Sequence, residues 1–98
     1  MIYMVTVWYP CDQAKNVIEA TKKAPKLPDY IKKWLLYGTP DGNNGYKVYN
    51  LIYVKEGISD EAVIFIGKMQ QYFIENINGY HWKAELVLGM KDSMKLFL

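Results

Sequence analysis

The sequence predicts an α+β domain in the order βαββαβ. Three observations carry that prediction. Four segments alternate in the two-residue rhythm of strands, two segments repeat apolar residues at helical spacing, and the longest stretch of turn formers lies between the second and third strands. With 98 residues, the chain is expected to form one domain over its whole length, 1–98.

Ile2 to Tyr9 is β-branched and aromatic throughout, with both alternating sets apolar, as suits a central strand buried on both faces. Pro10 ends it, Asp12 is placed to cap a helix, and Ala14, Val17, Ile18 and Thr21 follow at helical spacing. That helix is expected to stop near Ala24, before Pro25 and Pro28. Tyr30 to Tyr37 reads as the second strand, with Ile31, Lys33, Leu35 and Tyr37 on one side and Lys32, Trp34 and Leu36 on the other. The run from Gly38 to Gly45 is expected to turn the chain into an antiparallel third strand, Tyr46 to Lys55. Ser59 is the expected cap of a second helix, along which Ala62, Phe65, Ile66, Met69, Tyr72, Phe73 and Ile77 share one face, and Asn78-Gly79 ends it. Tyr80 to Leu88 forms the fourth strand, and 89–98 remains as an apolar C-terminal tail, expected to pack on a partner chain.

Two right-handed crossovers around a central hairpin place both helices on one face of a four-stranded antiparallel sheet, the ferredoxin-like arrangement. Such a sheet leaves its other face uncovered. Here that face is rich in tyrosine and aliphatic residues, which marks an association surface or a ligand groove.

Composition narrows the chemistry. All twelve cations are lysine and there is no arginine, beside nine Tyr, three Trp and three Phe. Five lysines crowd the stretch from Lys22 to Lys33, but bidentate phosphate and base recognition relies on the arginine fork, so nucleic acid is disfavoured as a partner. No apolar run approaches the length of a membrane span, and the start of the chain lacks the pattern of a signal peptide. A single cysteine, Cys11, allows no internal disulfide, and together these features lead to the expectation of a cytoplasmic protein. One His and one Cys without clustered spacing predict no metal site, and no glycine-rich phosphate loop predicts a nucleotide cofactor.

Several residues are candidates for function. His81 and Glu85 share one strand face and are the candidate acid–base pair, although Lys83 between them also fits a solvated edge strand. Tyr49 and Tyr53 project from one face of the third strand, and Tyr3 and Tyr37 are further candidates for a ligand-binding wall. Tyrosines of this kind fill a dimer interface equally well. Asn50 stands out because a buried amide in a strand needs a partner.

The element order and length, the opening strand Ile2 to Tyr9, the helix start at Asp12 and the closing strand Trp82 to Leu88 resemble the dimeric α+β barrel superfamily, most nearly its small members without a known activity. That resemblance implies two ferredoxin-like sheets packed face to face in a homodimer, with no cofactor. It also implies either a small-ligand-binding or assembly module, or, as the alternative, a cofactor-independent monooxygenase or isomerase acting on a small aromatic or polyketide-like substrate. The haem-degrading branch of the superfamily is set aside: it needs an Asn in the first strand and a His in the second helix, whereas this chain has Thr6 and no helical His. Acylphosphatase, also ferredoxin-like, needs an arginine in the first loop. Ferredoxin-like RNA-binding modules carry a basic and glycine signature absent here.

Overall fold

The computed structural model describes all residues, 1–98. Four strands, β1 (Ile2–Tyr9), β2 (Ile31–Pro40), β3 (Tyr46–Val54) and β4 (His81–Val87), form one sheet in the order β2-β3-β1-β4. Every neighbouring pair is antiparallel. Helix α1 (Ala14–Lys22) links β1 to β2, α2 (Ser59–Asn76) links β3 to β4, and a short third helix, α3 (Met90–Lys95), follows β4. The fold is therefore mixed α+β with three helices.

The pleat explains where the core lies. Tyr3, Val5, Val7 and Tyr9 point to one face of β1 and are all buried, and their partners on β3 along that face are Ile52, Asn50, Val48 and Tyr46. Ala20 of α1 and Ala62 and Ile66 of α2, with Ile77 just beyond it, close over this face. Val5, Ile52 and Ala62 are completely shielded from solvent, so the layer contact is tightest midway along the sheet. Burying a side chain such as Val5 or Ile52 contributes about 1.5–3 kcal/mol, which is what holds two thin layers together.

The structure corrects several local expectations. Neither Asp12 nor Ser59 caps a helix through its side chain. The chain enters α1 through a tight 3-10 turn over Cys11–Gln13, in which the Gln13 amide donates to the Pro10 carbonyl at 2.9 Å. Ser59 is the first residue inside α2, while the Ile58 carbonyl accepts the first helical bond from Ala62. Helix α1 stops at Lys22, earlier than the prolines require. Strand β2 runs on to Pro40, because Thr39 and Pro40 pair with Lys47 and Tyr46, and only Asp41 to Gly45 makes the turn. A bulge between Ile31 and Lys33 carries Ile31 opposite Val54, on the helix-covered side, away from Lys33. The expected tail contains α3, whose Met90 and Met94 are exposed together with Leu96, Phe97 and Leu98.

On the opposite face the rows read Lys33–Tyr53–Ile2–Val87, Leu35–Leu51–Met4–Glu85, Tyr37–Tyr49–Thr6–Lys83 and Thr39–Lys47–Trp8–His81 across β2, β3, β1 and β4. Thr6 is nearly sealed at 2% exposure, whereas Tyr37 is 58% exposed. Expected burial of β1 on both faces is thus complete for one set and partial for Ile2, Met4 and Trp8.

Candidate functional site

Between the helices and the sheet lies a cleft of about 400 Å³, open at one side. The chain leaves α1 at Lys23, and 24–27 passes over the β2 side of the sheet without filling the space above Trp34, Leu36 and Val48. Leu27 and Leu36 stand at its mouth, 44% and 63% exposed. Met69 and Phe73 of α2 supply the apolar roof, with Val7 and Tyr9 of β1 below.

The polar groups of this cleft are few and ordered. The Trp34 indole N–H donates to Asn50 Oδ1 at 2.9 Å, and Asn50 Nδ2 donates to the Val5 carbonyl at 3.0 Å. The buried strand amide thus has partners on both sides. The Tyr80 hydroxyl donates to Gln70 Oε1. Gln70 is only 2% exposed although it lies on a helix whose other buried residues are apolar. Beyond the cleft's back wall, Tyr72 donates its hydroxyl to the Ala20 carbonyl at 2.7 Å and ties α2 to α1.

Burial, and secondarily the neighbouring Tyr9, pushes the Tyr80 hydroxyl far above the usual tyrosine range. The Tyr9 hydroxyl is raised by burial first and by Tyr46 and Cys11 after it. Both phenols remain neutral donors at physiological pH. The folded chain holds the Tyr80 proton longer than the unfolded chain does, so this group's contribution to stability is present below about pH 10 and falls as pH rises further. Tyr80→Phe is expected to cost about 1 kcal/mol near pH 8, through the lost bond to Gln70. The gap to wild type should narrow above about pH 10, where only the wild type must hold a buried phenol protonated. Urea unfolding at the two pH values measures it, and a gap that does not change with pH counts against a buried Tyr80.

The sequence-predicted candidates are divided between the two faces. Tyr3 is buried on the helix-covered face, lining a separate 230 Å³ hollow with Val63, Ile66 and Trp82. Tyr37, Tyr49 and Tyr53 lie on the opposite face, where Tyr37 and Tyr49 are cross-strand neighbours. The structure therefore does not gather the four tyrosines into one wall. His81 is on that same open face and stacks on Trp8, with ring centroids 5.2 Å apart and planes 7° apart. Lys47 lies 5.7 Å from the Trp8 ring and 4.8 Å from that of Tyr49, and Trp8 Nε1 donates to Asp41 at 2.9 Å. Glu85 is held by Lys83 at 3.4 Å rather than by His81. Cys11 is exposed in the turn before α1.

Gln70 and Tyr80 are cleft residues that the sequence reading does not single out. The available signal was Gln70 itself, a polar residue four positions after Ile66 and next to Met69 on the apolar face of α2. No helix of the chain is long and apolar enough to cross a membrane. No protein-family model, curated protein or solved structure matches the chain.

Proposed function

We propose that the chain is a ferredoxin-like subunit of a homodimeric α+β barrel, and that each subunit binds a small apolar ligand between its helices and its sheet. The cleft carries this reading: its volume is within the usual range for small-molecule sites, about 300–1,000 Å³, and its lining is apolar around a few placed polar groups. Its apolar walls are open to water at the mouth, so an apolar occupant would gain by covering Leu27 and Leu36.

Pairing of two copies is supported by the other face. Leu35, Leu51 and Met4 lie side by side across three strands, with Ile2, Val87 and Tyr53 in the adjacent row. An apolar band flanked by lysines suits a two-fold contact in which the same patch meets itself. The tail supports it too. Asp92 of α3 borders a groove with Ile2, Lys33, Tyr53 and Val87, which puts α3 beside the edge of this face. The alternative, cofactor-independent monooxygenase or isomerase chemistry with His81 and Glu85, gains no support from a His81 that stacks on Trp8 and a Glu85 that pairs with Lys83.

Sedimentation at micromolar concentration tests the pairing. A dimer is expected for the wild type, and Leu51→Lys should give a monomer with unchanged far-ultraviolet circular dichroism. A wild-type monomer removes the dimer from the proposal. NMR titration with 2-ethylnaphthalene, 2-acetylnaphthalene and 2-naphthoate tests the ligand site, with saturable shifts expected at Val48, Met69 and Phe73 from the first two and silence from all three ruling the site out.

A further inference from the structure

Resting on that reading of the cleft, we propose that its ligand is uncharged and carries a hydrogen-bond acceptor, such as a carbonyl oxygen, at the end that meets Gln70 and Tyr9. The first half follows from what the wall lacks. No Lys, Asp, Glu or His lines the cleft. An anion or cation placed there would lose its hydration without gaining an opposite charge, and a buried unpaired charge is strongly disfavoured.

The second half follows from which polar groups are already occupied. The Trp34 N–H is taken by Asn50, Asn50 is taken by Trp34 and Val5, the Tyr80 hydroxyl by Gln70, and the Thr21 hydroxyl donates to the Val17 carbonyl. Gln70 accepts through Oε1, but its Nε2 has no partner in the chain, and neither does the hydroxyl of Tyr9, a residue 8% exposed. Every side-chain nitrogen or oxygen sealed from solvent has a hydrogen-bond partner. The Gln70 Nε2 and the Tyr9 hydroxyl are therefore not sealed; they are reachable groups on residues that line the cleft. Both can donate, and Tyr9 stays protonated because burial raises its pKa. One acceptor oxygen with two lone pairs satisfies both, while the apolar remainder lies against Val48, Met69 and Phe73.

Three probes of one shape separate these statements: 2-acetylnaphthalene, 2-ethylnaphthalene and 2-naphthoate, titrated calorimetrically into the full chain. The ketone is expected to bind about fivefold tighter than the hydrocarbon, the increment of one or two neutral hydrogen bonds. The carboxylate should bind at least about tenfold more weakly than the ketone. Tyr9→Phe, which deletes one of the two proposed donors and leaves the Tyr80–Gln70 bond in place, should cut the preference for the ketone to about twofold. Equal affinities for ketone and hydrocarbon, a preference undiminished in Tyr9→Phe, or tightest binding by the carboxylate would each overturn the inference while leaving the cleft as a ligand site. Failure of all three probes to bind would instead overturn the cleft reading itself. Should Tyr9→Phe not fold, the ranking of the three probes on the wild type decides the matter alone.

Discussion

Gly45→Ala is expected to destabilise the chain by at least about 3 kcal/mol, from left-handed strain and a steric clash acting together. Gly45 ends the β2–β3 turn with φ +85, a conformation that L side chains rarely adopt. A β-carbon there would also run into the carbonyl oxygen of Tyr9 and come within 3.0 Å of Pro10 Cα. The turn is seated directly on the end of β1, and neither backbone can move without parting Tyr46 from Tyr9, whose rings are 5.8 Å apart. Gly42→Ala is the matched control: its φ is +54, but nothing lies within 4 Å of the added carbon, and about 1 kcal/mol is expected. Denaturant unfolding of both variants checks the pair. Equal losses would show that the turn does not rest on β1.

Asn50→Asp is expected to cost about 3 kcal/mol at neutral pH, although it changes one atom. The Trp34 indole would keep its acceptor, but the group that now donates to the Val5 carbonyl would become a carboxylate oxygen facing it, in a residue 6% exposed with no cation lining the cleft. The carboxyl so introduced would have its folded pKa raised above the unfolded value. Its favourable protonated form is then present below about pH 4 and lost as pH rises through the folded pKa. Stability relative to wild type should therefore recover to within about 1 kcal/mol on acidification to about pH 4, because a protonated carboxyl can again donate to Val5. Chemical denaturation across that range reads the effect. A loss independent of pH would mean that position 50 is solvated.

Much of the fold was legible in the residues for identifiable reasons. The alternation of β1 and β3 places Tyr3, Val5 and Val7 against Ile52, Asn50 and Val48, and a period of two leaves little freedom once one face is buried. The apolar spacing of α2 from Ala62 to Ile77 likewise points one stripe at the sheet. What escaped were features decided by the backbone rather than by side-chain type. Nothing in Ile31-Lys32-Lys33 announces a bulge, yet it turns Ile31 to the other face. The turn formers Gly38, Thr39 and Pro40 remain in β2 because β3 offers them partners, an instance of tertiary pairing overriding local preference. In the cleft, the need of Asn50 for partners was readable from its place in an apolar strand. Its choice of Trp34, from the neighbouring strand, depends on register. Tyr80 belongs to the cleft only because the chain after α2 returns to Gln70, a relation between a helix and the segment before β4 that spacing does not encode.

The bulge has one more effect. A four-stranded open sheet has two free edges, and a long straight edge is a template on which further chains can add as strands and grow into fibres. On the β2 edge, the bulge beside Lys32 breaks the regular ladder at one end and Pro40, which lacks an amide hydrogen, closes the other. The β4 edge is short and carries Lys83 and Glu85 near its centre. Lateral polymerisation is thus resisted at both borders.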